Sequence, residues 1–119
     1  MAIFNAAFPI LAGKRDLATA FGRDAAGPRR AALDEFQRRR GVVRETWSIW
    51  ETPDGDGLSV IWTEAPDIEK VMVVAAEDTS EFAVWFRERV KEINGIDLTA
   101  APLPQPPTVT LDWAAPAGR

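Results

Sequence analysis

Carboxylates, lysines, arginines, amides and hydroxyls are the polar groups this 119-residue chain offers for chemistry, because it contains neither histidine nor cysteine. That excludes Ser-His triads, cysteine nucleophiles, thiolate metal sites, iron–sulfur clusters and histidine-ligated haem. No metal site and no cofactor is expected. Any catalysis must rely on carboxylates, Lys or Arg, Asn or Gln, Ser or Thr, the backbone or the reactivity of the substrate. Glu45, Glu51, Glu64 and Asp112 fall on or near the ends of extended segments. Each could serve as an acid or base if buried; a solvated strand terminus is the plainer expectation. Arg29-Arg30 and Arg38-Arg39-Arg40 could receive an anion, but Asp34, Glu35 and Glu45 dilute their field, which suits a solvated helix face. Asp54-Gly55-Asp56-Gly57 starts like a calcium loop, then places Leu58 where a ligand is needed. Turn chemistry accounts for it better. The chain has no Gly-rich phosphate motif and no serine elbow.

The other distinctive set is aromatic. Trp47 and Trp62 lie in two strand candidates, 44–51 and 58–64, joined by the turn run Thr52-Pro53-Asp54-Gly55-Asp56-Gly57. Pairing Glu51 with Leu58 would set Trp47 opposite Trp62 and Ile49 opposite Val60, with Glu45 near Glu64. Phe4, Phe8, Trp47 and Trp62 then face the helices, and Phe21, Phe36, Phe82, Trp85 and Phe86 face back at them. These nine residues could line a pocket for a flat, apolar ligand, or simply fill a core. The opposite side would carry Asn5, Thr46, Ser48, Trp50, Ser59, Ile61 and Thr63. Large apolar groups on both sides require cover on both sides. Trp50, Ile61, Thr46 and Ser48 are therefore the expected contacts with a second copy of the chain.

The elements positioning these residues follow from periodicity. Residues 3–11 read as a first strand, with Phe4, Ala6 and Phe8 on one side. Asp16 is a fair cap for a helix over 16–26; Gly27-Pro28 interrupts it, and a second helix is expected over 28–40, closed by Gly41. Asp67 can start a helix over 67–77. Asp78 and Glu81 have capping-box spacing, ahead of an apolar stripe of Phe82, Trp85, Phe86, Val90 and Ile93, and Asn94-Gly95 ends it. After the Pro-rich stretch 101–107, residues 108–113 alternate as a last strand. Residues 1–113 thus form one domain and 114–119 a frayed tail. The order β-α-β-β-α-β is ferredoxin-like: α+β, a four-stranded antiparallel sheet with helices on one face.

Composition sets the remaining bounds. The length suits one domain with a real core. A formal charge of −4 argues against general nucleic-acid binding. No apolar run approaches the roughly 20 residues of a membrane span, and the N-terminus lacks the pattern of a signal peptide, so a cytoplasmic protein is expected.

The chain resembles the dimeric α/β-barrel superfamily in the turn Pro9-Ile10-Leu11-Ala12-Gly13-Lys14, the Trp hairpin, the broken second helix and the Pro-rich lead into a last strand. Gly27-Pro28-Arg29-Arg30, Val84-Trp85-Phe86 and Leu111-Asp112-Trp113 are similar to small bacterial members to which no activity is assigned. The resemblance implies a homodimer whose two sheets pack into a barrel. The superfamily includes cofactor-free monooxygenases of polyketide pathways, haem-degrading oxygenases, muconolactone-isomerase-like enzymes and stress-responsive proteins. Its oxygenase branches use a pocket between sheet and helices, with an Asn on strand one and a Trp near the end of strand three. Asn5 and Trp62 are the positions that could match. The histidine of the haem-degrading branch has no counterpart. Three functions are expected to compete: a small-molecule-binding dimer, a cofactor-independent oxygenase or isomerase acting on an aromatic or polyketide-like substrate, and a structural dimer with a filled core.

Overall fold

The computed structural model describes residues 1–100 and 104–118. It is an α+β chain: β1 (Ala2–Pro9), α1 (Arg15–Ala26), α2 (Arg30–Arg40), β2 (Arg44–Trp50), β3 (Leu58–Ala65), α3 (Ile68–Glu77) and α4 (Glu81–Asn94). Among the described residues the sheet has three antiparallel strands, in the order β1-β3-β2. The expected fourth strand is not formed. Residues 108–113 enter no ladder and stand exposed, so the structure shows neither the expected four-stranded ferredoxin-like sheet nor a barrel. Alternation marks a segment able to pair, but pairing needs a strand edge within reach.

Helix boundaries follow local chemistry. Asp67 caps α3 by accepting from Lys70 N–H at 3.1 Å. Ser80, not Asp78, caps α4, accepting from Ala83 N–H at 3.2 Å. Asp78 instead accepts from Ser80 N–H and pairs with Arg39. The first helix begins at Arg15, with Lys14 rather than Asp16 as its cap residue. Pro28 falls in the turn between α1 and α2 rather than opening α2, because Arg29 and Arg30 complete that turn on the carbonyls of Asp24 and Gly27. Gly41 ends α2 in the left-handed conformation, φ 74°, returning its N–H to Gln37 and Arg38.

The hairpin register differs from expectation by one residue. Trp50 pairs with Leu58, so Trp47 lies opposite Ile61 and Ile49 opposite Ser59. A one-residue slip turns every side chain of β3 over. Ser59, Ile61 and Thr63 therefore share the helix-facing side with Phe4, Ala6, Phe8, Glu45, Trp47 and Ile49. Leu58, Val60, Trp62 and Glu64 share the open side with Ile3, Asn5, Arg44, Thr46, Ser48 and Trp50. Two physical terms select this register. Arg44 now opposes Glu64, removing the like-charge contact of Glu45 with Glu64. The loop is also closed by its own donors: Gly57 N–H reaches Thr52 Oγ1 at 2.9 Å and Gly55 N–H the Thr52 carbonyl at 3.0 Å. Gly57, at φ 84°, would place a Cβ 3.1 Å from both Ile49 Cγ2 and the Trp50 carbonyl, so glycine alone fits there.

The helices cover the first side. Phe36, Phe82, Ala83, Trp85, Ala25 and Ala75 form the buried core, and Phe21, Leu33, Trp47 and Phe86 pack against it. Gly27-Pro28-Arg29-Arg30 contributes Arg29, whose guanidinium lies 4.2 Å over the Trp85 ring and pairs with Glu81.

Candidate functional site

Between the helix-facing side of the sheet and the helices lies a cavity of about 370 Å³. Phe4 and Phe8 of β1, Trp47 and Ile49 of β2, and Ile61 of β3 supply the sheet wall. Phe21 of α1, Val71 and Met72 of α3, and Phe86 and Val90 of α4 supply the helix wall, and Leu98 and Pro104 approach from the C-terminal stretch. The Phe21 ring stacks on Trp47 with centroids 4.8 Å apart, and Phe86 closes the group at 5.8 Å from each. Such contacts fix flat surfaces at the wall.

Five of the nine aromatic residues expected to line a pocket do so: Phe4, Phe8, Phe21, Trp47 and Phe86. Phe36, Phe82 and Trp85 lie behind them in the core. Trp62 is on the other side of the sheet because of the register, and Ile61, expected at an interface, takes its place in the cavity wall. Asn5 and Trp62, the two candidates for orienting a substrate, are direct neighbours across β1 and β3, but on the open side. Neither lines the cavity.

A buried ion pair forms part of the chamber wall. The side chains of Arg40 and Glu45 are 6% and 4% exposed. Glu45 Oε1 accepts from Gln37 Nε2 and Trp47 Nε1, both at 2.8 Å, and Oε2 accepts from Thr63 Oγ1 at 2.6 Å. Arg40 donates to both oxygens at 3.3 and 3.4 Å, to Gln37 Oε1 at 2.6 Å and to the Val71 carbonyl at 3.3 Å. It also lies 4.9 Å over the Phe36 ring. Burial pushes the Glu45 carboxyl up, but the Arg40 charge and the hydrogen bonds from Thr63, Trp47 and Gln37 outweigh it and hold the carboxyl below its ordinary range. Glu45 is thus a fixed, neutralised anion with its lone pairs occupied, and a poor proton acceptor for a ligand.

The other carboxylates are elsewhere. Glu51 is exposed and forms a two-pronged pair with Arg15, whose hydrogen bonds lower its carboxyl below the ordinary range. Glu64 is on the open side and Asp112 in the exposed C-terminal stretch. The two arginine runs carry acidic partners throughout: Arg29 with Glu81, Arg30 with Asp34, Arg38 with Glu35, Arg39 with Asp78 and Arg40 with Glu45. Asp54 accepts from Thr52 Oγ1 and from Asp56 N–H within its own turn. Among the described residues no three His, Cys, Asp or Glu side chains gather closely enough to hold a metal ion. Among them, too, no helix is long and apolar enough to cross a membrane.

One polar feature of the wall escaped the sequence. Asn94, the last residue of α4, donates from Nδ2 to the Pro9 carbonyl and to Ser59 Oγ, each at 3.0 Å. Both Asn94 and Ser59 line the cavity. With Ser59 Oγ accepting from Asn94, the serine proton is left to donate. In the sequence Asn94-Gly95 reads only as a helix stop, and Ser59 as an outward residue. The correct register would have revealed the second, though not the first.

Comparison with known proteins finds no matching family model, no similar curated protein and no similar solved structure.

Proposed function

We propose that this is a small-molecule-binding protein that takes a small apolar or aromatic molecule between sheet and helices and works as a homodimer joined through the open side of the sheet. The observation that carries the ligand reading is the cavity itself. Its volume of about 370 Å³ lies within the range of ligand sites. Its wall is mainly aromatic and aliphatic, and the Arg40–Glu45 pair in it is internally satisfied. An uncharged ring system gains by burial there without leaving a polar group unpaired. A filled core, the third expected function, leaves no such space. Trp50, 70% exposed on the open side, supports the dimer reading, as does the resemblance to dimeric α/β barrels.

A second reading has one observation in its favour. The Asn94–Ser59 pair places a hydroxyl donor on an otherwise greasy wall, where it could hold a carbonyl or enolate oxygen of a substrate that supplies its own carbanion. A cofactor-independent oxygenase or isomerase of that kind would use Asn94 and Ser59, and not Asn5 and Trp62.

Titration with N-phenyl-1-naphthylamine, an uncharged fluorescent aromatic, tests the ligand reading. One saturable site per chain is expected. Ala18→Phe, which extends a ring from α1 into the cavity, should weaken binding at least about tenfold while the protein stays folded by circular dichroism. Absence of saturable binding, or binding indifferent to Ala18→Phe, would contradict it.

A further inference from the structure

The C-terminal stretch has the sequence pattern of a strand, bends at Thr110 and has no strand beside it. Val109, Leu111 and Trp113 alternate with Thr108, Thr110 and Asp112, and in extended chain the three apolar side chains share one side. They are 72%, 81% and 73% exposed. Three uncovered apolar residues on one side of a six-residue segment are costly in water and are unlike a frayed polar tail.

The sheet has a matching vacancy. β1 pairs with β3 along one edge, and its other edge carries no strand among the described residues. Natural edges are normally protected by charges, prolines or bulges. Ala2–Pro9 contains no charged residue, and its one proline is at the end. Its eight residues are long enough to pair with all six of 108–113. β2, the other edge, carries Arg44 and Glu45, so β1 is the better acceptor.

We infer that residues 108–113 of one copy add as an outer strand to β1 of a second copy, and reciprocally. Two observations favour a second copy over the chain's own β1. The sequence before the segment is Pro102-Leu103-Pro104-Gln105-Pro106-Pro107, a composition that resists folding back. The chain is also more extended than its length requires: its radius of gyration is 15.2 Å, against about 13.5 Å for a compact domain of this size. The exchange rests on the self-association proposed above and specifies its geometry. Each sheet becomes four-stranded in the order 108–113, β1, β3, β2, with the first strand donated by the partner, and the exposed Val109, Leu111 and Trp113 gain cover.

The cysteine-free chain permits a clean test. Single variants Asn5→Cys and Ala6→Cys, on opposite sides of β1, are each mixed with single-cysteine variants at positions 108 to 113 in turn and oxidised. The expected result is disulfide-linked pairs containing one chain of each kind. Asn5→Cys should couple to alternate positions of the segment, and Ala6→Cys to the positions between. That period of two is the signature of a strand ladder. Absence of mixed disulfides at every position would overturn the exchange. So would doubly substituted single chains, such as Asn5→Cys with Thr110→Cys, that close only on themselves. If the protein nevertheless weighs as a dimer in those experiments, the exchange fails while the sheet-to-sheet dimer survives; a monomeric mass removes both.

Discussion

On β2 alone, Glu45, Trp47 and Ile49 enter a helix-covered chamber, whereas Arg44, Thr46, Ser48 and Trp50 alternate with them into exposure. Glu45 and Trp50, five residues apart, mark the extremes. The first is a charge buried with every oxygen occupied, and the second is a large ring left 70% exposed. Ordinary partitioning would reverse them. A buried charge persists where a specific set of partners repays its desolvation. A large exposed ring beside other apolar groups is a feature of contact surfaces. The covered side thus carries the marks of a site completed within one chain, and the open side is the surface on which the proposed second copy would pack.

The buried pair is the sharpest place to break this contrast. Arg40→Ala would strand the Glu45 charge and should cost about 3–5 kcal/mol, read as a shift in the urea midpoint. A loss near the ~0.5 kcal/mol of a surface substitution would mean that the pair is solvated. Next in size is the core behind the cavity. Phe36→Ala should cost about 3–5 kcal/mol at most, less where the neighbouring rings relax into the space, and should leave self-association unchanged. Trp50→Glu should do the reverse. It should weaken association while changing the stability of the dissociated chain by only ~0.5 kcal/mol or less. Undiminished association would place the interface elsewhere.

Acid titration sharpens the comparison further. Glu45 is held below its ordinary value of 4.5 in the folded chain. The unfolded chain therefore takes up the proton first. The stability contributed by this group is full above that value and is lost as the pH falls towards the folded one. The fall in stability between about pH 5 and pH 3 should be steeper in the native chain than in Glu45→Gln. Equal slopes would show that exposed carboxylates alone drive acid unfolding. The smallest effect belongs to the open side: Arg44→Gln removes one exposed cross-strand charge opposite Glu64 and should cost no more than ~0.5–1 kcal/mol.

Much of this contrast was legible in the chain. The positions of three strands and four helices follow from alternation, helical spacing and the Gly41, Asp67 and Gly95 signals. The two-sided apolar character of β2 is plain from Trp47, Ile49 and Trp50. Register was not, because a period of two fixes the sides within a strand but not the match between strands. The turn of Gly57 and the charge match of Arg44 with Glu64 decided it. The like-charge contact of Glu45 with Glu64 in the alternative register was the clue. The outward turn of Trp62 and the inward turn of Ile61 follow from that choice, whereas Glu45 shares the side of Trp47 in either register. Residues 108–113 show the opposite limit: their alternation predicts a strand that does not form, because a strand also needs a neighbour. Asn94 reaches Ser59 over 35 positions, a contact no local rule supplies.

Light scattering on the native chain at micromolar concentration tests most directly whether the open side is completed by a second copy. The chain mass is 13.1 kDa. The expected particle weighs about twice that and reverts towards a single chain in Trp50→Glu. A native particle of one chain mass across that range would contradict the account.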